Sequence, residues 1–198
     1  MLQSRILVIF LPCMKRSKQR TLWGLVFLLA AAGIVSWTAL SVPRWSGQAP
    51  AALPYLVQQV GFANSAARIR LAGTLTLPRG GGPHPAVVLI PGQGEVDRDG
   101  AMLGHRFYEV LADDLTRRGF AVLRSDKRGI GASGGSFTRA TSYDFASDIQ
   151  AALVFLHRRP EVDARRIGLV GHSEGALVGA IVAGREKQLG FLVLMAGN

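Results

Sequence analysis

The sequence predicts an α/β fold: a three-layer sandwich on a mostly parallel sheet, with antiparallel strands at its N-terminal side. Four runs, AVVLI (86–90), FAVLRS (120–125), RIGLVG (166–171) and FLVLMAG (191–197), are nearly continuous in apolar residues, as strands covered on both faces must be. Between the first three lie helical patterns, with Phe107, Val110, Leu111 and Leu115 in one and Phe145, Ile149, Ala152, Leu153 and Leu156 in the next. Their 3- and 4-residue spacing gives each helix one apolar stripe. Strands alternating with helices in this order build a right-handed layered sandwich.

Taken from the N-terminus, residues 1–20 form a basic leader. Residues 21–43, TLWGLVFLLAAAGIVSWTALSVP, carry no charge; as a helix they reach about 34 Å, against a hydrocarbon core of about 30 Å. Lys15, Arg16, Lys18 and Arg20 precede this segment and only Arg44 closely follows it, so the positive-inside rule sends the remainder across the membrane. The expectation is a membrane-anchored domain on the periplasmic or extracellular side. It is a secreted one if a signal peptidase cuts at Ala49-Pro50-Ala51. The apolar run ILVIFLP ahead of the basic cluster is too short to span, and Met14 offers an alternative start. Residues 44–53 read as a tether.

The exported part, residues 54–198, opens with PYLVQQVGF and ARIRLAGTLTLP, whose apolar and polar positions alternate as in half-buried antiparallel strands. RGGGPHP breaks the pattern as a turn. Thr141 and Asp144 make an N-cap pair for the second helix. Composition excludes two function classes. Of the 23 Lys and Arg, six precede Pro54 with no acid among them, and 17 face 13 acids after it; the net charge of +10 therefore reflects the leader more than any nucleic-acid surface. A single cysteine, Cys13, excludes an internal disulfide and a thiolate zinc site.

Two stretches match G-x-S-x-G: Gly171-His172-Ser173-Glu174-Gly175 and Gly131-Ala132-Ser133-Gly134-Gly135. The chemistry needs a sharp strand-to-helix turn that lifts the serine oxygen above the strand ends. Only Ser173 has a strand before it and a helix, ALVGAIVAG, after it. Ser133 sits in a polar, Gly-rich loop. Ser173 is the predicted nucleophile, with Gly171 and Gly175 permitting the crowded elbow and His172 in a structural role. An acyl-transfer site also needs amides aimed at a developing oxyanion; Glu174 follows the serine, and Gln93 in the loop Pro91-Gly92-Gln93-Gly94 supplies the second. His105 opens the helix after that loop, a possible substrate contact against plain helix-start packing. Glu95, Asp97, Arg98 and Asp99 read as an internally bonded loop, with no metal.

In the order AGTLTLP, HPAVVLIPGQGEVDRDG, LADDLTRRGFAVLRSDKRGIGASGG, TSYDFASDIQAALVFL and RIGLVGHSEGALVGAIVA, these stretches resemble the N-terminal half of an α/β-hydrolase of the bacterial serine esterase and S33-peptidase-like group. The resemblance implies Ser173 as nucleophile, Gln93 and Glu174 as oxyanion amides, and Asp126, Arg128, Gly129 and Gly131 as a structural loop. Pro91 departs from the His common at that position, removing a donor and stiffening the turn. In this fold the triad acid and base follow the nucleophile along the chain. None of His84, His105, His157 and His172 is placed as base.

The leading expectation is thus a C-terminally truncated serine hydrolase of carboxylic esters, acting without cofactor on a small-molecule ester or peptide-like substrate. As given, it is expected to be inactive. A peptidase or amidase of the same fold, a noncatalytic membrane-tethered binding protein and a functionless fragment are the alternatives.

Overall fold

A computed structural model describes residues 52–197. The leader, the apolar segment 21–43 and nearly all of the tether lie outside the described residues. Among the described residues no helix is long and apolar enough to cross a membrane.

The elements are β1 (Tyr55–Asn64), β2 (Ile69–Pro78), β3 (His84–Ile90), a short hairpin of β4 (Ala101–Met102) and β5 (His105–Arg106), α1 (Phe107–Arg117), β6 (Ala121–Ser125), α2 (Ser142–His157), β7 (Val162–His172), α3 (Glu174–Ala183) and β8 (Phe191–Met195). Six strands form one sheet in the order β1-β2-β6-β3-β7-β8. The β1/β2 and β2/β6 pairs are antiparallel, and the other three pairs are parallel. After β3 the chain moves to one side of that strand for β6, then crosses to the other side for β7. The sense of winding therefore reverses at β3, which opens a crevice above its carboxyl end.

Right-handed crossovers in opposite directions put their helices on opposite faces. Alternate residues of the central strands divide accordingly. Val87, Leu89 and Val122 pack with Tyr108 and Ala112 of α1, whereas Ala86, Val88, Ile90, Leu123 and Leu169 pack with Phe145, Ile149 and Leu153 of α2 and Val178 and Val182 of α3. Burial on both faces explains why these strands lack polar alternation. In α2 the predicted stripe is the buried one, and Thr141 and Asp144 form the capping box.

The α1 stripe differs from its prediction. Phe107 and Val110 are exposed, Leu111 and Leu115 are half-buried, and the buried row is Tyr108, Ala112 and Thr116. Polar tips with partners made this row possible. The Thr116 hydroxyl lies 2.6 Å from that of Thr76 and 2.6 Å from the Ala112 carbonyl, while Tyr108 reaches the Gly92 amide. A hydrogen-bonded hydroxyl buries without the usual penalty, which hydropathy patterning does not register. The β4–β5 hairpin is likewise a finding. It turns through Leu103 (φ 50°) and Gly104 (φ 79°), and it places His105 on an exposed strand rather than at the helix start.

One buried ion cluster joins three segments. Arg128 donates from Nε to Asp148 at 2.7 Å, from Nη2 to the other Asp148 oxygen at 2.8 Å, and from Nη1 to Asp144 at 3.1 Å. Asn64, at the end of β1, donates to Asp148 at 2.8 Å. Removing one partner strands a desolvated charge, so Asp148→Ala is expected to lower the unfolding free energy by about 3–5 kcal/mol, and Thr141→Ala by about 1 kcal/mol. Urea denaturation of the two variants checks that ranking.

Candidate active site

The turn between β7 and α3 consists of one residue. Ser173 has φ 54° and ψ −118°, a conformation sparsely populated by L-residues that costs on the order of 1–3 kcal/mol. It persists because its surroundings leave no alternative. The Ser173 amide donates to the Met195 carbonyl at 2.9 Å, and its carbonyl accepts from Ala176 at 2.9 Å. A Cβ at Gly171 would collide with the Gly175 carbonyl, and one at Gly175 with the carbonyls of Ile90 and Pro91. Two glycines thus let the elbow close against the end of β3.

The loop after β3 lies against this elbow. A Cβ at Gly92 would stand 3.3 Å from that of Ser173 and 3.2 Å from Nδ1 of His172. The Gly92 amide donates to Tyr108 Oη at 3.0 Å, and its carbonyl accepts from Lys127 Nζ at 2.7 Å. Within a planar trans peptide, C=O and N–H point in opposite directions. The bond from Lys127 to the Gly92 carbonyl therefore turns the Gln93 N–H away from the lysine. Among the described residues, the amides of Gln93 and Glu174 donate to no acceptor, whereas those of Gly92 and Ser173 do. The two amides expected to face an oxyanion are uncommitted, as are those of Gly94 and Gly175 beside them.

Lys127 is buried, and it also donates to the Gly94 carbonyl at 3.3 Å and to Glu174 Oε2 at 2.9 Å. Its neighbour Asp126 organises the loop behind it, accepting from Arg98 Nε at 2.9 Å, from the Arg98 amide at 2.9 Å and from the Ala132 amide at 3.0 Å. Burial pushes against ionisation, but the Arg98 guanidinium and these amides outweigh it and hold the Asp126 carboxyl below the usual range. Gly129 and Gly131 adopt positive φ, 76° and 55°, and a Cβ at Gly131 would meet the Asp126 carboxylate.

The second serine motif has a different use. Ser133 is buried, donates to the Asp126 carbonyl at 2.9 Å and accepts from the Ala72 amide at 3.0 Å, so its proton is already committed to the backbone. His172 turns toward α1. Its Nδ1 lies 3.4 Å from Tyr108 Oη and its ring centroid 5.8 Å from that of Phe107. Burial raises the Tyr108 phenol, while the Gly92 amide works in the opposite direction. His105 is exposed on its hairpin, His84 opens β3 at the strand's far end, and His157 meets the Leu153 carbonyl at the close of α2. Among the described residues, no histidine or carboxylate hydrogen-bonds the Ser173 hydroxyl.

The acidic loop is bonded into the fold. Asp97 accepts from the Asp99 and Ala101 amides, Arg98 clamps Asp126, and Asp99 stands 3.3 Å from Arg124. No group of three or more His, Cys, Asp or Glu among the described residues is arranged to hold a metal. Sequence reasoning did not single out Tyr108 or Lys127. The one signal that points to Lys127 is its place immediately beyond the carboxyl end of a central strand.

Because the Asp126 carboxyl is held low, its contribution to stability is complete above the unfolded-state value of about 3.9 and is lost as pH falls through the lower folded-state value. Thermal melts from pH 7 to pH 2 are expected to separate wild type from Asp126→Asn at neutral pH and to bring them together in acid.

A family model described as serine aminopeptidase, S33, matches residues 83–198. Esterase EstD of Thermotoga maritima is 32% identical over 124 residues, covering 63% of this chain and 30% of the esterase. The crystal structure of the hypothetical protein PA2218 of Pseudomonas aeruginosa superposes with a TM-score of 0.63 at 27% identity, covering 79% of this chain and 47% of that one. The Pyrococcus furiosus esterase Pf2001 does so with a TM-score of 0.57 at 25% identity, covering 73% and 53%. The chain spans about a third of the length of the curated relatives it matches.

Proposed function

The chain belongs to the serine aminopeptidase S33 family of hydrolases and has the α/β-hydrolase fold, and from that premise we propose that it carries the nucleophile half of an esterase site. In this reading the Ser173 hydroxyl attacks the carbonyl carbon of a carboxylic ester. A C–O bond forms, the carbonyl π electrons move onto oxygen, and the serine proton passes to a general base. The amides of Gln93 and Glu174 stabilise the resulting oxyanion. Its collapse expels the alcohol, which takes up the proton, and water then releases the acid from the acyl-enzyme. Among the described residues no histidine or carboxylate is bonded to the Ser173 hydroxyl to take its proton.

The observation that carries this reading is the pairing of a strained serine with two uncommitted amides, on an elbow closed against β3. The name of the T. maritima relative favours an ester. The family description favours an amide bond, so a peptidase or amidase is the second reading. Substrate is taken to be a small molecule. The uncharged run 21–43, with basic residues ahead of it, supports a domain tethered to a membrane and exported.

Proteases stripped of their triad retain about 10³–10⁴-fold catalysis over water through oxyanion stabilisation and binding, so a reactive probe is expected to report on this half alone. A fluorophosphonate should label Ser173, seen by peptide mass mapping, and Ser173→Ala should abolish the label. A label on Ser133, or an unmodified Ser173, contradicts the proposal. Any turnover of a p-nitrophenyl ester in preference to an amino-acid p-nitroanilide, or the reverse, separates esterase from amidase.

A further inference from the structure

We propose that Lys127 is a positioning residue for both oxyanion amides, an inference that rests on the esterase reading of Ser173. An ammonium has three N–H donors, and each of these has one acceptor: Gly92 O at 2.7 Å, Gly94 O at 3.3 Å and Glu174 Oε2 at 2.9 Å. The apolar side of the ammonium is closed by Phe145, whose ring centroid lies 4.6 Å away, and by Phe137 at 5.4 Å. The side chain is 6% exposed. A charge withdrawn this far from water needs all its partners, and those partners are the two segments that bear the Gln93 and Glu174 amides.

Two physical effects follow. The first concerns direction. Gln93 lies between Gly92 and Gly94, whose backbones lack the steric limits of other residues. The peptide plane that carries the Gln93 N–H is free to rotate unless its carbonyl is held. Lys127 holds that carbonyl and the next but one, which pins the plane itself and the loop two residues beyond it. The second effect concerns charge. Glu174 is the first residue of α3, so its carboxylate belongs to the same helix N-terminus as the amide that would hold a substrate oxyanion. Lys127 draws that carboxylate to itself and neutralises it. Without the lysine, the site would present a negative charge to a negative transition state.

These effects separate a positioning role from plain support of the fold. In the full chain, Lys127→Met is expected to lower the maximal rate of fluorophosphonate labelling at Ser173 by about 10- to 100-fold, somewhat less than the loss of a whole oxyanion donor. The half-saturating probe concentration is expected to hold within roughly twofold, as for an interaction made only in the transition state. Adding Glu174→Gln to Lys127→Met removes the stranded carboxylate and is expected to restore part of the rate. A merely structural lysine predicts recovery of the unfolding free energy but not of the labelling rate per folded molecule.

An activity-independent readout is the backbone order of the Gln93 amide by ¹⁵N relaxation. Lys127→Met should drop its order parameter from about 0.85 toward 0.6, while the Ala132 amide, bonded to Asp126 in the lysine's own loop, stays ordered. An unchanged labelling rate with an ordered Gln93 overturns the inference. So does a loss of order at Gln93 and Ala132 alike, which marks general unfolding. If wild-type Ser173 does not label at all, the esterase reading fails, and the Gln93 order parameter alone decides the role of Lys127.

Discussion

The site depends on a steric constraint: the elbow after β7 must touch the end of β3, and only hydrogens fit between them. Gly175 packs on the Ile90 and Pro91 carbonyls, and Gly171 on that of Gly175. With this approach closed, the single residue left to join strand to helix is forced into left-handed φ. Its side chain then stands at the rim of the crevice where the sense of the sheet reverses. The strain at Ser173 is offset by the parallel sheet around it, above all by the bond from its amide to the end of β8. Position and strain are consequences of one contact.

Around that contact, the fold uses buried charges as connectors. Arg128 ties α2 to the loop after β6 and, through Asp148, to β1. Arg98 and Asp126 tie the acidic loop to the same region. Lys127 extends the pattern to the elbow and to the loop after β3. Such pairs contribute little net stability, since desolvation opposes their attraction. Their effect is geometric, because each leaves one low-energy arrangement for loops that glycine would otherwise leave free.

How much was legible in the sequence follows from this division of labour. Strands β3, β6, β7 and β8 and the α2 stripe follow from burial, which hydropathy records directly. Strands β1 and β2 follow from alternation, although Thr74 and Thr76 of β2 are buried on hydrogen bonds rather than exposed. Ser173 separates from Ser133 because a strand-to-helix turn is a local pattern, and the hydrogen bonds of Ser133 agree with its assignment to a loop. The α1 face was misread at Phe107 and Val110. Its packing depends on Tyr108 and Thr116 finding partners on β2 and in the loop after β3, and such pairings across the sheet leave no periodicity in the chain. Lys127 was passed over for the same reason. Its partners are 33 to 47 positions away in sequence, and a lysine between Asp126 and Arg128 looks like any other loop charge.

The most direct test of the account is a crystal structure of the chain with a phosphonyl group on Ser173, since that group places an oxygen where the oxyanion would form. This oxygen is expected within about 2.7–3.1 Å of both the Gln93 and the Glu174 amide nitrogens, with Lys127 still on the Gly92 carbonyl. An oxygen turned to solvent, or held by neither amide, would contradict it.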